Sequence, residues 1–406
     1  MSKFTNDSEN RVKDLLAFSL GIMNGEDGKM LIEKYKDVID NVTPYDMLAL
    51  EDKQMQMGIT PKAIKKDVEK VINVFFKSLG KYSWEKPKED TFLYHLMLEN
   101  QAFIYRLNQI KKIIKSYKGK ENDDFNQMQN ELLPHFKAFL EFESHYVKKE
   151  NILFPFLEKK WDSYRPLNVM WSLHDDIRKK LKSIISILGS TEAQWQDFNK
   201  EMGKYFFLVF GMIQKEDMII FPVATETITD EEWIEMYNQS FEYLFPFIER
   251  PTKKEKLKEE QQTAKSFGEQ SLGFQTETGN LSFEQVLLAF NHLPVDITFV
   301  DENDKVRFFS RAKERFFPRS PAIVGRDVRN CHPPESVHIV EKIVEEFKNG
   351  KKDVADFRIK MKGKYILIRY FAMRNDTGEY KGVLEVGEDI TEISEMNDEK
   401  RLLDWE

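Results

Sequence analysis

Glycine is spread so unevenly along this chain that it divides the molecule before any motif is read. Between positions 120 and 267 there are only Gly189, Gly203 and Gly211, whereas nine of the eighteen glycines lie from Gly268 onward. Glycine-poor stretches suit long helices, and glycine returns where turns join strands. The first two-thirds are therefore expected to be helical and the last third mixed α and β.

Apolar spacing of three and four supports this division. Four helices fit residues 1–84. Asp7 or Ser8 can cap the first, which carries Val12, Leu15, Leu16, Leu20 and Met23 and can end in Gly21–Gly25. The second runs from Met30 to Ile39. Thr43-Pro44 opens the third, Gly58 stops it, and Thr60-Pro61 starts the fourth. Residues 88–228 hold four longer patterns, 88–117, 121–159, 165–189 and 192–227, and a further helix is expected from Asp230 to Phe247. An internal echo marks two of these: Lys149-Glu-Asn-Ile-Leu-Phe-Pro155 and Lys215-Glu-Asp-Met-Ile-Ile-Phe-Pro222. Two hairpins ending in the same phrase suggest a duplicated pair, a common way to build a four-helix bundle at 88–248.

Residues 249–281 are charged, then polar and glycine-bearing, which reads as a linker. Beyond it the period falls towards two. Five strands are expected at 297–300, 306–309, 354–359, 365–371 and 382–386, with a helix from Pro334 to Phe347. This last domain spans 282–406. The fold class is thus multidomain: an all-α N-terminal module, a four-helix bundle, and a five-stranded antiparallel sheet.

Composition narrows the function. With 61 basic and 69 acidic residues the net charge is −8, which argues against nonspecific nucleic-acid binding. No apolar run reaches the ~18 residues of a spanning helix, so no membrane association is expected. The N-terminus has no export layout, and the lone Cys331 excludes a disulfide framework, so the expected location is cytoplasmic. No phosphate loop, dinucleotide fingerprint or nucleophile elbow occurs.

Three of the seven histidines, His95, His145 and His174, fall on the first, second and third long helices respectively. At a rise of 1.5 Å per residue, His145 lies about 21 Å from the end of its helix and His174 about 14 Å from the start of its own. Glu216 and Asn100 fall at about 16 and 18 Å, and His95 at about 10 Å. A polar layer across four helices is geometrically possible, which is how carboxylate-bridged di-iron sites are built.

The phrases Glu99-Asn100, His145-Tyr-Val-Lys-Lys-Glu150, Met170-Trp-Ser-Leu-His-Asp-Asp-Ile-Arg178 and the two Lys-Glu…Phe-Pro helix ends resemble the hemerythrin-like cation-binding domain. That resemblance implies iron held by His paired with His, Glu or Asp four residues away. The sequence departs from the pattern. Lys149 stands four after His145, with Glu150 five after it and about 140° further round. Arg178 follows His174 by four, Met212 precedes Glu216 by four, and Asn100 takes another ligand place. A lysine in the layer would repel Fe²⁺ unless turned away. Three readings stay open: a full di-iron site, an altered metal site of His95, His145, Glu150, His174 and Glu216, or a layer knitted by Lys–Glu and His–Glu pairs.

Residues 9–79, through Gly58-Ile-Thr-Pro-Lys-Ala-Ile64, resemble the helical domain of unknown function 438, whose Cys and His positions correspond here to Val68 and Val71. The last third resembles a PAS sensor domain, on Leu293-Pro-Val-Asp-Ile-Thr-Phe-Val-Asp301, Asn330-Cys-His-Pro-Pro-Glu-Ser-Val-His-Ile-Val340 and Asp389-Ile-Thr391. The resemblance implies a sheet whose concave face holds a small ligand. His338 stands where haem-binding relatives place the axial ligand, against the alternative of a packing or capping histidine. His332 and Cys331 are candidates to ligate haem or metal from the same edge, and Arg369 to pair with a ligand carboxylate or an acidic strand neighbour.

The expected function is an intracellular sensor or adaptor that signals through a protein partner or a homodimer, because no output domain follows. The alternative is a non-haem iron oxidoreductase or scavenger of O₂, NO or peroxide, or a haem or iron carrier. Lys149 and Met212 weigh against an enzyme, which needs open metal positions held by several ligands.

Overall fold

The computed structural model describes residues 6–253 and 273–396, apart from 120, 121, 123, 163, 277 and 314, and apart from the side chains of 6–8, 66–73 and 273–276. Two compact units emerge, one containing the N-terminal helices together with the bundle, the other containing the sheet.

The helical unit begins with α1 (Asn6–Met23), α2 (Gly28–Lys34), α3 (Lys36–Asp40), α4 (Pro44–Gln56) and α5 (Pro61–Leu79). The expected second helix is thus two short ones, divided at Tyr35. Thr43 and Asp46 form a reciprocal capping box at the start of α4, with proline at its first turn. Val68 and Val71 lie outside the described side chains.

The bundle consists of α6 (Phe92–Ser116), α7 (Phe125–Ala138), α10 (Pro166–Leu188) and α11 (Trp195–Lys215), in which α6 packs on α7, α7 on α10, α10 on α11 and α11 back on α6. The second and fourth rods are not continuous α-helix. After α7 come a 3₁₀ turn (Phe139–Phe142), α8 (Glu143–Lys148), a π turn (Lys149–Leu153) and α9 (Phe154–Lys160). After α11 come a second π turn (Glu216–Ile220), α12 (Phe221–Thr227) and then α13 (Asp230–Ser240), shorter than its apolar pattern suggests. Both π turns sit in the echoed phrases. Phe154 N–H bonds the Lys149 carbonyl and Phe221 N–H the Glu216 carbonyl, five residues back. The prolines that follow, Pro155 and Pro222, have no N–H to give the regular i−4 carbonyl, which removes one reason for the helix to tighten there.

In the second unit β1 (Gly273–Thr276) and β2 (Gly279–Ser282) form a hairpin within the stretch expected to be linker. Then follow α14 (Phe283–His292), β3 (Val295–Asp301), β4 (Val306–Phe309), α15 (Val337–Lys348), β5 (Val354–Met361), β6 (Lys364–Arg374) and β7 (Tyr380–Asp389). The main sheet is antiparallel in the order β4-β3-β7-β6-β5. Residues opposite each other across a pairing share a face. Asp296, Thr298 and Val300 therefore face the same way as Glu385, Val383, Ile368, Tyr370 and Ala372. This is the inner face, because Val300, Val383, Tyr370 and Ala372 pack with Ile323, Ile343 and Phe347.

Candidate functional site

The middle of the bundle is crossed by a layer of charged side chains sealed from solvent. Glu99, Asn100, His145, Lys148, Lys149, Glu150, His174 and Glu216 are each no more than 5% exposed. The π turn explains why three consecutive residues, Lys148, Lys149 and Glu150, are all buried. Its wider turn keeps on the core side positions that a regular helix would carry round towards water.

The layer is organised around carboxylates. Glu99 accepts from Lys148 Nζ and lies 2.8 Å from His145 Nδ1. Glu150 accepts from His174 Nδ1 at 2.7 Å and from the Arg178 guanidinium at 2.9 Å. Glu216 accepts from Lys149 Nζ on Oε1 and from Asn100 Nδ2 at 2.8 Å on Oε2. Three carboxylates thus meet three cations: Lys148, Lys149 and Arg178. Just outside, Lys215 donates to Glu51 of α4 at 2.6 Å, tying the N-terminal helices to the bundle.

Burial works against the charge on Glu216, yet Lys149, His145 and Asn100 outweigh it and hold this carboxyl well below its usual range. Burial, with Lys149 and Arg178 nearby, drives His174 well below the ordinary imidazole value, so its ring is neutral. A neutral ring that donates from Nδ1 has a bare lone pair on Nε2. The Nε2 atoms of both His174 and His145 are buried without a hydrogen-bond partner. That of His145 stands 3.5 Å from Glu216 Oε2, at the outer limit of hydrogen-bond length.

His95 does not join this layer. Its Nδ1 lies 2.8 Å from the Thr91 carbonyl and its ring packs against Tyr94, Tyr237 and Phe245. His145, Glu150, His174 and Glu216 do share the layer, but so does Lys149, which is not turned away. Glu99 and Lys148, present in the phrases Glu99-Asn100 and His145–Glu150 but not among the expected site residues, complete the layer. The available signal was the spacing: Glu99 lies one turn after His95, and Lys148 lies three residues after His145.

In the sheet unit the inner face is apolar at one end and charged at the other. Arg319 pairs with Glu385 at 3.4 Å, Arg315 with Asp296 at 2.6 Å, and burial raises the Tyr370 phenol beside Glu385. Burial, with Arg319 and Arg326 beside it, lowers His332 to about 4. The Arg319 side chain is 12% exposed, and its Nε is buried without a partner. Cys331 packs against the apolar cluster with its Sγ 3.6 Å from the Asp327 carbonyl.

Two placements bear on alternatives the sequence left open. His338 is five residues before Ile343 and nine before Phe347, the residues that α15 turns to the core. It is therefore rotated by about 140° and 180° from them, away from the inner face where an axial ligand would be needed. Arg369 lies between Ile368 and Tyr370 and so points to the outer face, where it donates to Glu388 at 3.0 Å.

Comparison with known proteins places both units. Residues 91–224 match the family model of the hemerythrin HHE cation binding domain, and residues 287–391 match that of a PAS domain. The chain carries a hemerythrin HHE domain and a PAS domain. No curated protein matches it. Among solved structures, a C-terminal domain from Streptococcus mutans is similar at 34% identity, covering 31% of this chain and 98% of that one, with a TM-score of 0.30. The PAS domain of a protein from Colwellia psychrerythraea is similar at 19% identity, covering 27% of this chain and 97% of that one, with a TM-score of 0.22. A sensory box sensor histidine kinase from Vibrio cholerae is similar at 13% identity, covering 27% of this chain and 92% of that one, with a TM-score of 0.21. No described helix is long and apolar enough to cross a membrane.

The HHE family implies a bound cation, and the donor set of this HHE domain does not fit one. Among the described residues no group of three or more His, Cys, Asp or Glu side chains is placed to hold a metal ion. Both oxygens of Glu216 are already taken, one by Lys149 and one by Asn100. A divalent cation would add two uncompensated charges to a layer whose own groups cancel, at a depth where unpaired charge is strongly disfavoured.

Proposed function

We propose that this chain is a sensor or adaptor in which the PAS domain takes a small polar ligand and the HHE bundle is an ion-paired platform working without metal. The N-terminal helices, which resemble domain of unknown function 438, extend that platform through the Lys215–Glu51 pair. The observation that carries the ligand reading is Arg319. Its buried Nε lacks a partner, and a buried donor left unpaired costs about 1–3 kcal/mol, which a ligand oxygen would remove. A charged interior of this kind disfavours the large apolar ring of haem. The rival reading, a non-haem iron oxidoreductase or an iron or haem carrier, has Lys149 against it. A signal would leave the chain through protein contacts, and the exposure of Phe283, Leu288 and Phe290 on α14 supports such an output.

The test uses the full-length protein. Small molecules released by denaturing the purified chain are identified by mass spectrometry, and a panel of small organic acids is screened by thermal shift. The expected result is stabilisation by a polar ligand, lost in Arg319→Met. A Soret band in the purified protein, or a Tm unmoved by the panel with nothing released, would refute the reading.

A further inference from the structure

The two π turns can be compared residue by residue, because each begins five residues before its Phe-Pro dipeptide. Matched in this way, Lys148 corresponds to Lys215, His145 to Met212, and Lys149 to Glu216. Lys149 and Glu216 are therefore equivalent positions of an internal repeat that carry opposite charge, and they are bonded to each other across the bundle. We propose that the Lys149 ammonium stands in for a divalent cation, so that the single substitution Lys149→Glu turns the self-neutralised layer into a site for one. This rests on the reading of the bundle as metal-independent.

Three features of the layer carry it. First, both imidazoles are oriented as ligands would be: each has Nδ1 held by a carboxylate, Glu99 or Glu150, while the buried Nε2 of His174 has no hydrogen-bond partner and that of His145 faces Glu216 Oε2 at 3.5 Å, beside the Lys149 ammonium on Oε1. Carboxylates behind Nδ1 orient and strengthen imidazole ligands in metal sites. Second, the charge balances. Replacing an ammonium by a carboxylate changes the layer by two negative charges, which one divalent cation restores. Third, the resulting donors are two imidazole nitrogens and two carboxylates, a set suited to Fe²⁺, Co²⁺ or Zn²⁺ rather than to Ca²⁺ or Mg²⁺. Lys148 and Arg178 remain paired with Glu99 and Glu150, so the outer support is kept.

Metal-stripped full-length protein is titrated with Co²⁺, reading visible absorption and melting temperature. The wild type is expected to show no His145-dependent binding. Lys149→Glu is expected to bind Co²⁺ at concentrations where the wild type does not, with ligand-field bands lost when His145→Ala is added. Its melting temperature is depressed without metal and recovers with it. Should Lys149→Glu fail to fold, Lys149→Met keeps the side-chain bulk, frees Glu216 Oε1 and is titrated in the same way. A folded variant of either kind that leaves cobalt unbound overturns this inference alone. A wild type that binds cobalt and loses it in His145→Ala overturns both this inference and the metal-independent reading beneath it.

Discussion

Lys149 shows what spacing along a sequence does and does not convey. That it stands four residues after His145 is visible in the chain, and so is the conflict with a cation. Its partner is not, because Glu216 lies 67 residues away and the contact depends on how the rods are set against each other. Lys215 and Glu51 make the same point over 164 residues. Both are nearly sealed from water, so Glu51→Gln leaves a buried ammonium unpaired and is expected to cost about 3–5 kcal/mol, read as a lower urea midpoint. His332 gives a pH dependence whose sign follows from its lowered value of about 4. The unfolded chain takes up this proton near the ordinary value of about 6.5, before the folded chain does. Stability should therefore fall as pH drops from about 6.5 to 4 and level off below, by ~3 kcal/mol from this group. His332→Gln should flatten that part of the profile in urea denaturation across the pH range.

At the scale of elements, helix and strand order were legible and local irregularities were not. The five strands, the long helices and the Thr43-Pro44 and Thr60-Pro61 starts follow from apolar period and capping chemistry that act within a few residues. The two π turns do not, since the extra residue in each shifts the phase of the pattern rather than its composition. The hairpin at Gly273–Ser282 was hidden for a related reason, as its polar residues give no apolar alternation. In the sheet, Gly382 is required by the approach of β7 to β3. It has φ of +135°, and a Cβ there would sit 2.0 Å from the Val300 carbonyl oxygen. Gly382→Ala should destabilise the PAS unit by about 2–4 kcal/mol through strain and displaced pairing. Thermal unfolding followed by near-ultraviolet circular dichroism would measure the loss.

At the scale of the molecule, the N-terminal helices and the bundle fall within one compact unit, while the sequence presents those helices as a module of their own. The Arg165–Asp52 pair at 3.1 Å and the hydroxyls of Tyr45 and Tyr82 donating to Glu226 reinforce the Lys215–Glu51 tie. The cost of Glu51→Gln should accordingly appear in α1 to α12 together, as one shifted transition rather than a local loosening. Hydrogen exchange would distinguish the two, and protection lost only in α4 would contradict the shared core.

Sequence alone determined what depends on neighbours within a turn or two: the helical two-thirds, the five-stranded last third, the capped helix starts, and the presence of imidazoles and carboxylates at comparable depth. Tertiary structure decided which of those groups meet. It set His95 apart, turned His338 and Arg369 away from the inner face, and brought Lys149 onto Glu216. Pairing of buried charge is settled by distances between distant segments, and no local preference of the chain encodes those distances.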